Sequence, residues 1–308
     1  MYNCSTSFML NYLKNTEIDK KRWDMLVSQS SNATIFCFSW YLDAFCSWNA
    51  IIFGDYEGAI ALPIKKQGPF NVIYQPPFVQ KCDWFGAKIN EEKISKLLKK
   101  RTDYIHFNTN INFDKRGLKR INLILPLKNY ETICEVYSKS LKKNIRKAKN
   151  ANLKIKVNET AIDEVIDLYT AAYGSLNNQI TALHYNYLRK LVLQQKHTSH
   201  FKITRVYHND ELIASLLFGI ANKRIHYLLG APNEKGRKLN ALSFAIDSVI
   251  QEHASNQFIF DFEGSSIPNV RAFFESFGST NEGFYEVKIS PNRIFGGIKY
   301  IYSKLRKS

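Results

Sequence analysis

Y-L-L-G-A-P-N-E-K-G-R-K-L-N-A-L-S-F-A-I-D-S-V-I-Q-E-H-A-S-N-Q-F-I-F-D-F-E, from Tyr227 to Glu263, reads as strand, loop, helix and strand. The run Ile225 to Leu229 is apolar and aromatic, and the loop after it carries Gly, Pro and Asn. Leu239, Leu242, Ala245, Ile246, Val249 and Ile250 then recur at helical spacing, and Phe258-Ile259-Phe260-Asp261-Phe262 is a second buried-strand run. Such a unit is a parallel crossover. Its right-handed connection sets the helix N-terminus at the carboxyl end of the first strand, where open α/β sheets bind ligands. Lys235, Arg237 and Lys238 bracket Gly236 there. Free backbone N–H groups and the helix dipole suit a phosphate or another anion, which makes Lys235, Gly236, Arg237, Lys238 and Asn240 candidate contacts for an anionic ligand.

Outward from this unit, the second half of the chain gives strand Leu153 to Val157, helices Ala161 to Tyr173 and Ala182 to Gln195, then strands Phe201 to Tyr207, Glu211 to Ile220 and Arg224 to Leu229. Turns at Asn209-Asp210 and Ala221-Asn222-Lys223 make those three an antiparallel meander. After the crossover come a helix from Pro268 to Phe277 and a last strand from Gly283 to Ile289. The first half repeats the order of two helices, three meander strands, helix and strand, without a residue-level repeat; its last strands are Asp103 to Asn108 and Arg120 to Leu125. Between the halves, Tyr130 to Asn152 predicts one helix. Ile133, Tyr137, Leu141, Ile145 and Ala148 form its apolar stripe, and Lys139, Lys142, Lys143, Arg146, Lys147 and Lys149 crowd the other faces. That basic face is either a solvated surface or a phosphate-binding one, with Lys143 and Arg146 as contacts. The expected division is 1–128, a connecting helix 129–152, 153–290, and a basic amphipathic tail helix 291–308 that packs on the body or touches a membrane surface.

With 308 residues, 45% hydrophobic and 14% aromatic, there is ample material for one large or two modest cores. No run of about 18 apolar residues and no signal-peptide start appear, so a cytoplasmic protein without a transmembrane segment is expected. The net charge of +16 favours an anionic partner: RNA, a nucleotide cofactor, or an acidic lipid or glycan surface. Cys4, Cys37, Cys46, Cys82 and Cys134 show no C-x-x-C spacing and read as reduced packing residues. The histidines form no ligand pair one helical turn apart, so no metal site is expected.

The element order resembles the GNAT acyltransferase superfamily. The basic helix Ser140-Leu-Lys-Lys-Asn-Ile-Arg-Lys-Ala-Lys-Asn-Ala-Asn152 before a strand, and Phe260-Asp-Phe-Glu-Gly-Ser265 before Phe273-Phe-Glu-Ser-Phe-Gly278, resemble its FemAB-like branch. That branch includes tandem-GNAT acetyltransferases and the Fem peptidoglycan aminoacyltransferases. The resemblance implies a mixed α/β fold of two tandem GNAT-like domains, the N-terminal one degenerate. It further implies acyl transfer to a small-molecule amine acceptor, such as an amino sugar or cell-envelope precursor. The donor would be acetyl-CoA or another acyl-CoA as co-substrate, with no permanently bound cofactor, or an aminoacyl-tRNA; the alternative is a non-catalytic tandem-GNAT module that binds an anionic partner through the Lys139 to Lys149 helix. Two departures are visible. Arg237-Lys238-Leu239-Asn240-Ala241-Leu242 lacks both small positions of the acyl-CoA loop except for a displaced Ala241, and the segment leading to the Phe-Gly pair lacks the lysine of Fem enzymes.

In this architecture, backbone N–H groups near Leu229 and Gly230 would hold the donor carbonyl, where strand splaying leaves donors unpaired. Asp261 and Glu263 alternate with Phe260 and Phe262, so both carboxylates share one face. Glu263 is the first choice of base, and Asp261 the second, unless ion pairs with Arg271 or Lys288 occupy them. His226 is a rival base, and Tyr285 an acid for a departing thiolate. Trp40 and Tyr41 either line the acceptor side or belong to an aromatic core.

Overall fold

The computed structural model describes residues 9–112, 115–158, 160–174, 180–264 and 267–297, and these form two compact units. The first comprises the chain to Arg120 and again from Gly283; the second runs from Ile121 to Glu282.

In the first unit the elements are β1 (Leu10–Leu13), α1 (Lys20–Gln29), α2 (Ser39–Phe45), β2 (Trp48–Phe53), β3 (Gly58–Gln67), β4 (Phe70–Tyr74), β5 (Phe85–Gly86), α3 (Glu91–Arg101), β6 (Tyr104–Thr109) and β7 (Leu118–Arg120). Asp19 starts α1 by accepting hydrogen bonds from the backbone N–H of Lys21 and Arg22. Trp23 and Trp48 are wholly buried with ring centroids 4.9 Å apart, and the Trp23 indole donates to the Cys37 carbonyl at 2.8 Å. β2, β3 and β4 are antiparallel, while α3 carries the chain across to the parallel β4–β6 pair.

The second unit holds β8 (Leu123–Pro126), α4 (Tyr130–Val136), α5 (Lys139–Asn150), β9 (Lys154–Val157), α6 (Ile162–Tyr173), α7 (Ala182–Val192), β10 (Phe201–His208), β11 (Glu211–Ala221), β12 (Arg224–Pro232), α8 (Glu234–Lys238), α9 (Ala241–His253), β13 (Ile259–Asp261), α10 (Pro268–Glu275) and β14 (Thr280–Asn281). Its sheet runs β14-β8-β13-β12-β11-β10-β9. The meander turns are as expected, with positive φ at Asn209, Asp210, Asn222 and Lys223. β12 and β13 are the parallel pair, joined through α9. Leu141, Ile145, Ile225, Ala245, Ile246, Val249, Phe260, Phe262 and Phe274 share one core, in which α5 and α9 cover one face of the sheet.

The last strand, β15 (Phe284–Ile289), was expected beside the second half's strands but pairs antiparallel with β6 and β7 in the first unit. Conversely, the expected strand Arg120 to Leu125 is split: Leu118–Arg120 stays in the first sheet, and Leu123–Pro126 pairs with β13 in the second. The first unit thus follows its parallel β4–β6 pair with antiparallel β15, taken from the chain beyond the second unit, and the second follows β12–β13 with antiparallel β8 from its own start. Hydropathy marks both segments as strands but carries no sign of which sheet receives them.

Two expected helices are each broken in two. Ser138 caps α5 by accepting from the Leu141 N–H, which separates it from α4, and Asn240 stands between α8 and α9 at φ +59. Burial pushes the Cys37 thiol up to about 11 and the Cys46 thiol to about 12, consistent with packing rather than reactive cysteines. Of the tail helix expected over 291–308, residues from 298 on lie outside the described residues; Phe295 is buried against Val72 and Tyr104. No helix among the described residues is long and apolar enough to cross a membrane.

Gly236, expected in a phosphate loop, is fixed by packing instead. A Cβ there would lie 2.1 Å from the Ile213 carbonyl oxygen of β11. Gly236→Ala should therefore destabilise the fold by about 1–3 kcal/mol, as overpacking does, measured by urea unfolding. An unchanged midpoint would mean the backbone yields at no cost.

Candidate active site

The parallel pairing of β12 with β13 stops at His226↔Asp261, yet β12 runs on to Pro232 with β11 on its other side. A bulge between Leu217 and Phe218 in the β11 register, opposite Tyr227 and Leu229, turns this part of β12. Beyond His226 one edge of β12 has no strand beside it among the described residues, and N–H groups that alternate along a strand partly face that edge.

Because Ile225 and Phe260 point into the α9 core, their neighbours His226 and Asp261 point to the opposite face. There they join a buried polar network. Asp261 is fully buried and accepts from Arg224 Nε at 2.7 Å and from Asn122 Nδ2 at 3.2 Å. Its other oxygen accepts from the backbone N–H of Glu263 at 2.9 Å. Arg224 also pairs with Glu282. Burial works against the Arg224 charge, but Asp261 and Glu282 overcome it and hold the guanidinium firmly protonated. The expected partners of the carboxylates, Arg271 and Lys288, are not used. Arg271 pairs with Glu275 on its own helix, and Lys288 lies on β15 in the first unit.

Glu263 ends this network with φ +61, a left-handed conformation that a glutamate adopts only when its surroundings impose it. Its carboxylate meets His226 Nδ1 at 2.5 Å, and its side chain keeps 14% exposure where that of His226 has none. Asp261 is 3.8 Å from the same His226 nitrogen. One ligand atom from each of His226, Asp261 and Glu263 lies within 4.8 Å of the other two, a spacing that a metal ion could use. The guanidinium on Asp261 already supplies the positive charge such an ion would bring. Of the two carboxylates Glu263 alone keeps some exposure, with His226 buried behind it and Asp261 holding its backbone N–H.

Residues 137–266 match the family model of the acetyltransferase (GNAT) domain. The second unit is a GNAT domain. No curated protein matches the sequence. Among solved structures, FemX is similar over 94% of this chain and 99% of its own, at 12% identity and a TM-score of 0.67. L-PGS from Bacillus licheniformis is similar over 93% and 96%, at 12% identity and a TM-score of 0.55. The C-terminal domain (DUF2156) of a protein provisionally named a lysylphosphatidylglycerol synthetase, from Agrobacterium fabrum, is similar over 87% and 90%, at 12% identity and a TM-score of 0.57. Over most of its length the chain has the mixed α/β, two-sheet fold of these tandem-GNAT structures.

The loop before α9 carries the predicted anion contacts. Asn240 holds the left-handed conformation that glycine adopts most easily and asparagine next, and its side chain makes no cap hydrogen bond to the first turn of α9. Of the loop cations, Lys235 pairs with Glu211 and Lys238 with Glu234, while Arg237 is exposed. Lys147 of α5 reaches the Lys238 carbonyl at 3.1 Å, which ties the basic helix to this loop. Lys143 and Arg146 are exposed on α5. Leu229 and Gly230 lie on the stretch of β12 beyond its pairing with β13, where the Tyr227 hydroxyl donates to the Gly230 carbonyl at 3.2 Å. The rings of Phe274 and Tyr227, and of Phe274 and Phe262, are in contact, so aromatic side chains fill the core side of the strand divergence.

Three expected site residues lie in the first unit. Tyr285 sits on β15 opposite Thr109 and Lys119. Tyr41 is fully buried, its hydroxyl donating to the Phe78 carbonyl at 2.8 Å, so it is core rather than a cleft wall. Trp40 stacks beside Phe38 and Tyr41. Arg224, Asn122 and Glu282 escaped the sequence reading. The available signal was register: once β12 and β13 are parallel, R-I-H lies alongside I-F-D, and the two ionic residues of one strand meet the aspartate of the other.

Proposed function

We propose that this chain is an N-acyltransferase that passes an acyl group from a nucleotide-linked donor, acyl-CoA first, to the nitrogen of a small amine such as an amino sugar or cell-envelope precursor. The observation that carries this reading is the Glu263–His226 pair at the point where β13 ends and β12 continues with only β11 beside it among the described residues. A donor carbonyl beside Leu229 and Gly230 would meet backbone N–H groups on the open edge. The amine attacks as the neutral base, the C–N bond forms, and Glu263 takes the proton it sheds. The C–S bond then breaks, and a thiolate, whose free thiol ionises near pH ~8.5, leaves without help from a side-chain acid. Arg237 and the N–H groups at the start of α9 would receive the donor phosphates.

Acetyl-CoA at about 100-fold above its Kd should stabilise the folded chain by about 2.7 kcal/mol in a thermal-shift titration. A second reading, an aminoacyl-tRNA donor, is favoured by the α5 face, which presents Lys139, Lys142, Lys143, Arg146, Lys147 and Lys149 with no acidic residue on the helix. That donor should bind with log K falling about 0.7 per phosphate contacted for each unit of log salt concentration. Millimolar acetyl-CoA without any shift, together with such tRNA binding, would replace the first reading with the second.

A further inference from the structure

A separate open cavity of about 360 Å³ lies among α4, α5 and α9. Tyr130, Cys134, Tyr137, Arg146, Lys149 and Asp247 line it. Asp247 projects from α9 and is only 2% exposed. Its two oxygens accept from the Tyr130 hydroxyl, each at 2.9 Å, and among the described residues no cation comes within ion-pair distance of it. The Tyr137 hydroxyl faces the same carboxylate closely enough to pull its pKa down, yet it is buried without a formed hydrogen bond. Burial nevertheless pushes the Asp247 carboxyl above its ordinary range, against the pull of Tyr130, Tyr137 and Lys149. Arg146 and Lys149 stand at the exposed rim with no carboxylate on them among the described residues.

The cavity therefore has unanswered charge of both signs: a buried carboxylate beside a hydroxyl with spare capacity, and one guanidinium and one ammonium group at the mouth. Neither can satisfy the other in the present geometry. An ammonium supplies both the counter-charge and the hydrogen-bond donors that Asp247 and Tyr137 lack, and an anion on the same molecule answers the rim. The volume is that of a small-molecule site. Asp247 lies on the core-covering helix, whereas His226 and Asp261 point to the other face of the sheet, so this cavity is distinct from the Glu263–His226 pair.

We propose that this cavity binds a small zwitterion, its ammonium against Asp247 and the Tyr137 hydroxyl and its phosphate or carboxylate against Arg146 and Lys149. The reading does not depend on the transfer chemistry proposed above. Cys134 in the wall provides a local reporter. O-phosphoethanolamine added to the full chain should slow alkylation of Cys134 by iodoacetamide in a saturable way, followed by peptide mass spectrometry. Inorganic phosphate or ethanolamine alone should not protect at the concentration where the zwitterion saturates. Asp247→Asn and Arg146→Gln should each raise the half-saturating concentration about 10-fold or more, the usual consequence of losing a charge-assisted contact.

Asp247→Asn also carries its own check on folding. A carboxyl whose folded pKa is raised stabilises the fold below its unfolded pKa and loses that contribution as pH rises through the folded value. Removing the buried charge should therefore raise Tm at pH 7, and the gain should shrink on acidification. Absence of protection by O-phosphoethanolamine, or protection that neither substitution weakens, overturns the proposal. Displacement of the zwitterion by acetyl-CoA would also overturn it, because the cavity would then belong to the donor site.

Discussion

Glu263→Gln should lower turnover by about 10²–10⁴-fold, the range that positioned general-base catalysis contributes, while donor affinity moves less than about threefold. Turnover here is thiol release from acetyl-CoA in the presence of a panel of primary amines. The substitution keeps the size of the side chain and leaves one oxygen to accept from His226, so the local fold is retained. What it removes is the ability to take a proton. A carboxylate base also imposes an acidic limb on the pH dependence of kcat/KM, and that limb should disappear from the residual rate of the variant.

His226→Gln separates orientation from proton transfer. His226 is fully buried behind Glu263, so its loss should reduce kcat less than the loss of Glu263 and should leave the acidic limb in place, shifted. If Glu263 merely fastened the end of β13, Glu263→Gln would change Tm and spare the rate. Full turnover in that variant, with the panel of amines acetylated as before, would remove Glu263 from the mechanism.

The features readable in the sequence are those with local causes. Turn residues at Asn209-Asp210 and Asn222-Lys223 fix the meander, and helical spacing of Ala245, Ile246, Val249 and Ile250 fixes the crossover helix. Strand alternation predicts the Asp261 and Glu263 carboxylates on one face, but β13 ends at Asp261 and Glu263 turns left-handed at φ +61, so contact with His226 and not alternation places its carboxylate. The placement of β8 and β15 was not readable, because a strand four to six residues long is compatible with either sheet edge and only long-range packing selects one. Gly236 misled for a related reason: a glycine amid cations suggests a phosphate loop, but its cause here is the carbonyl of Ile213 on a strand more than twenty residues earlier. Tyr285, assigned as an acid from its nearness in sequence to the second half, went with β15 to the other sheet.

Arg224→Met should be the most destabilising single change in the network, by about 3–5 kcal/mol, because it leaves the Asp261 carboxylate buried without its cation. Three strands meet at that carboxylate: Arg224 begins β12, Asp261 ends β13, and Asn122 precedes β8. Asn122 and the Glu263 N–H would remain as donors, but neither carries charge. The double variant Arg224→Met with Asp261→Asn tests whether the cost is the stranded charge. It should recover most of the stability lost by Arg224→Met, since breaking a buried pair on one side is far costlier than replacing both partners. The coupling should also appear in activity. Asp261 accepts from the Glu263 N–H and so helps impose the left-handed turn that presents the Glu263 carboxylate. At temperatures where each variant is fully folded, Arg224→Met should therefore lower kcat with little change in KM for the donor, as loss of positioning rather than of contact would. A double variant as unstable as Arg224→Met would show that the arginine acts through Glu282 or through packing of its stem, and the anchoring role assigned to Asp261 would fall with it.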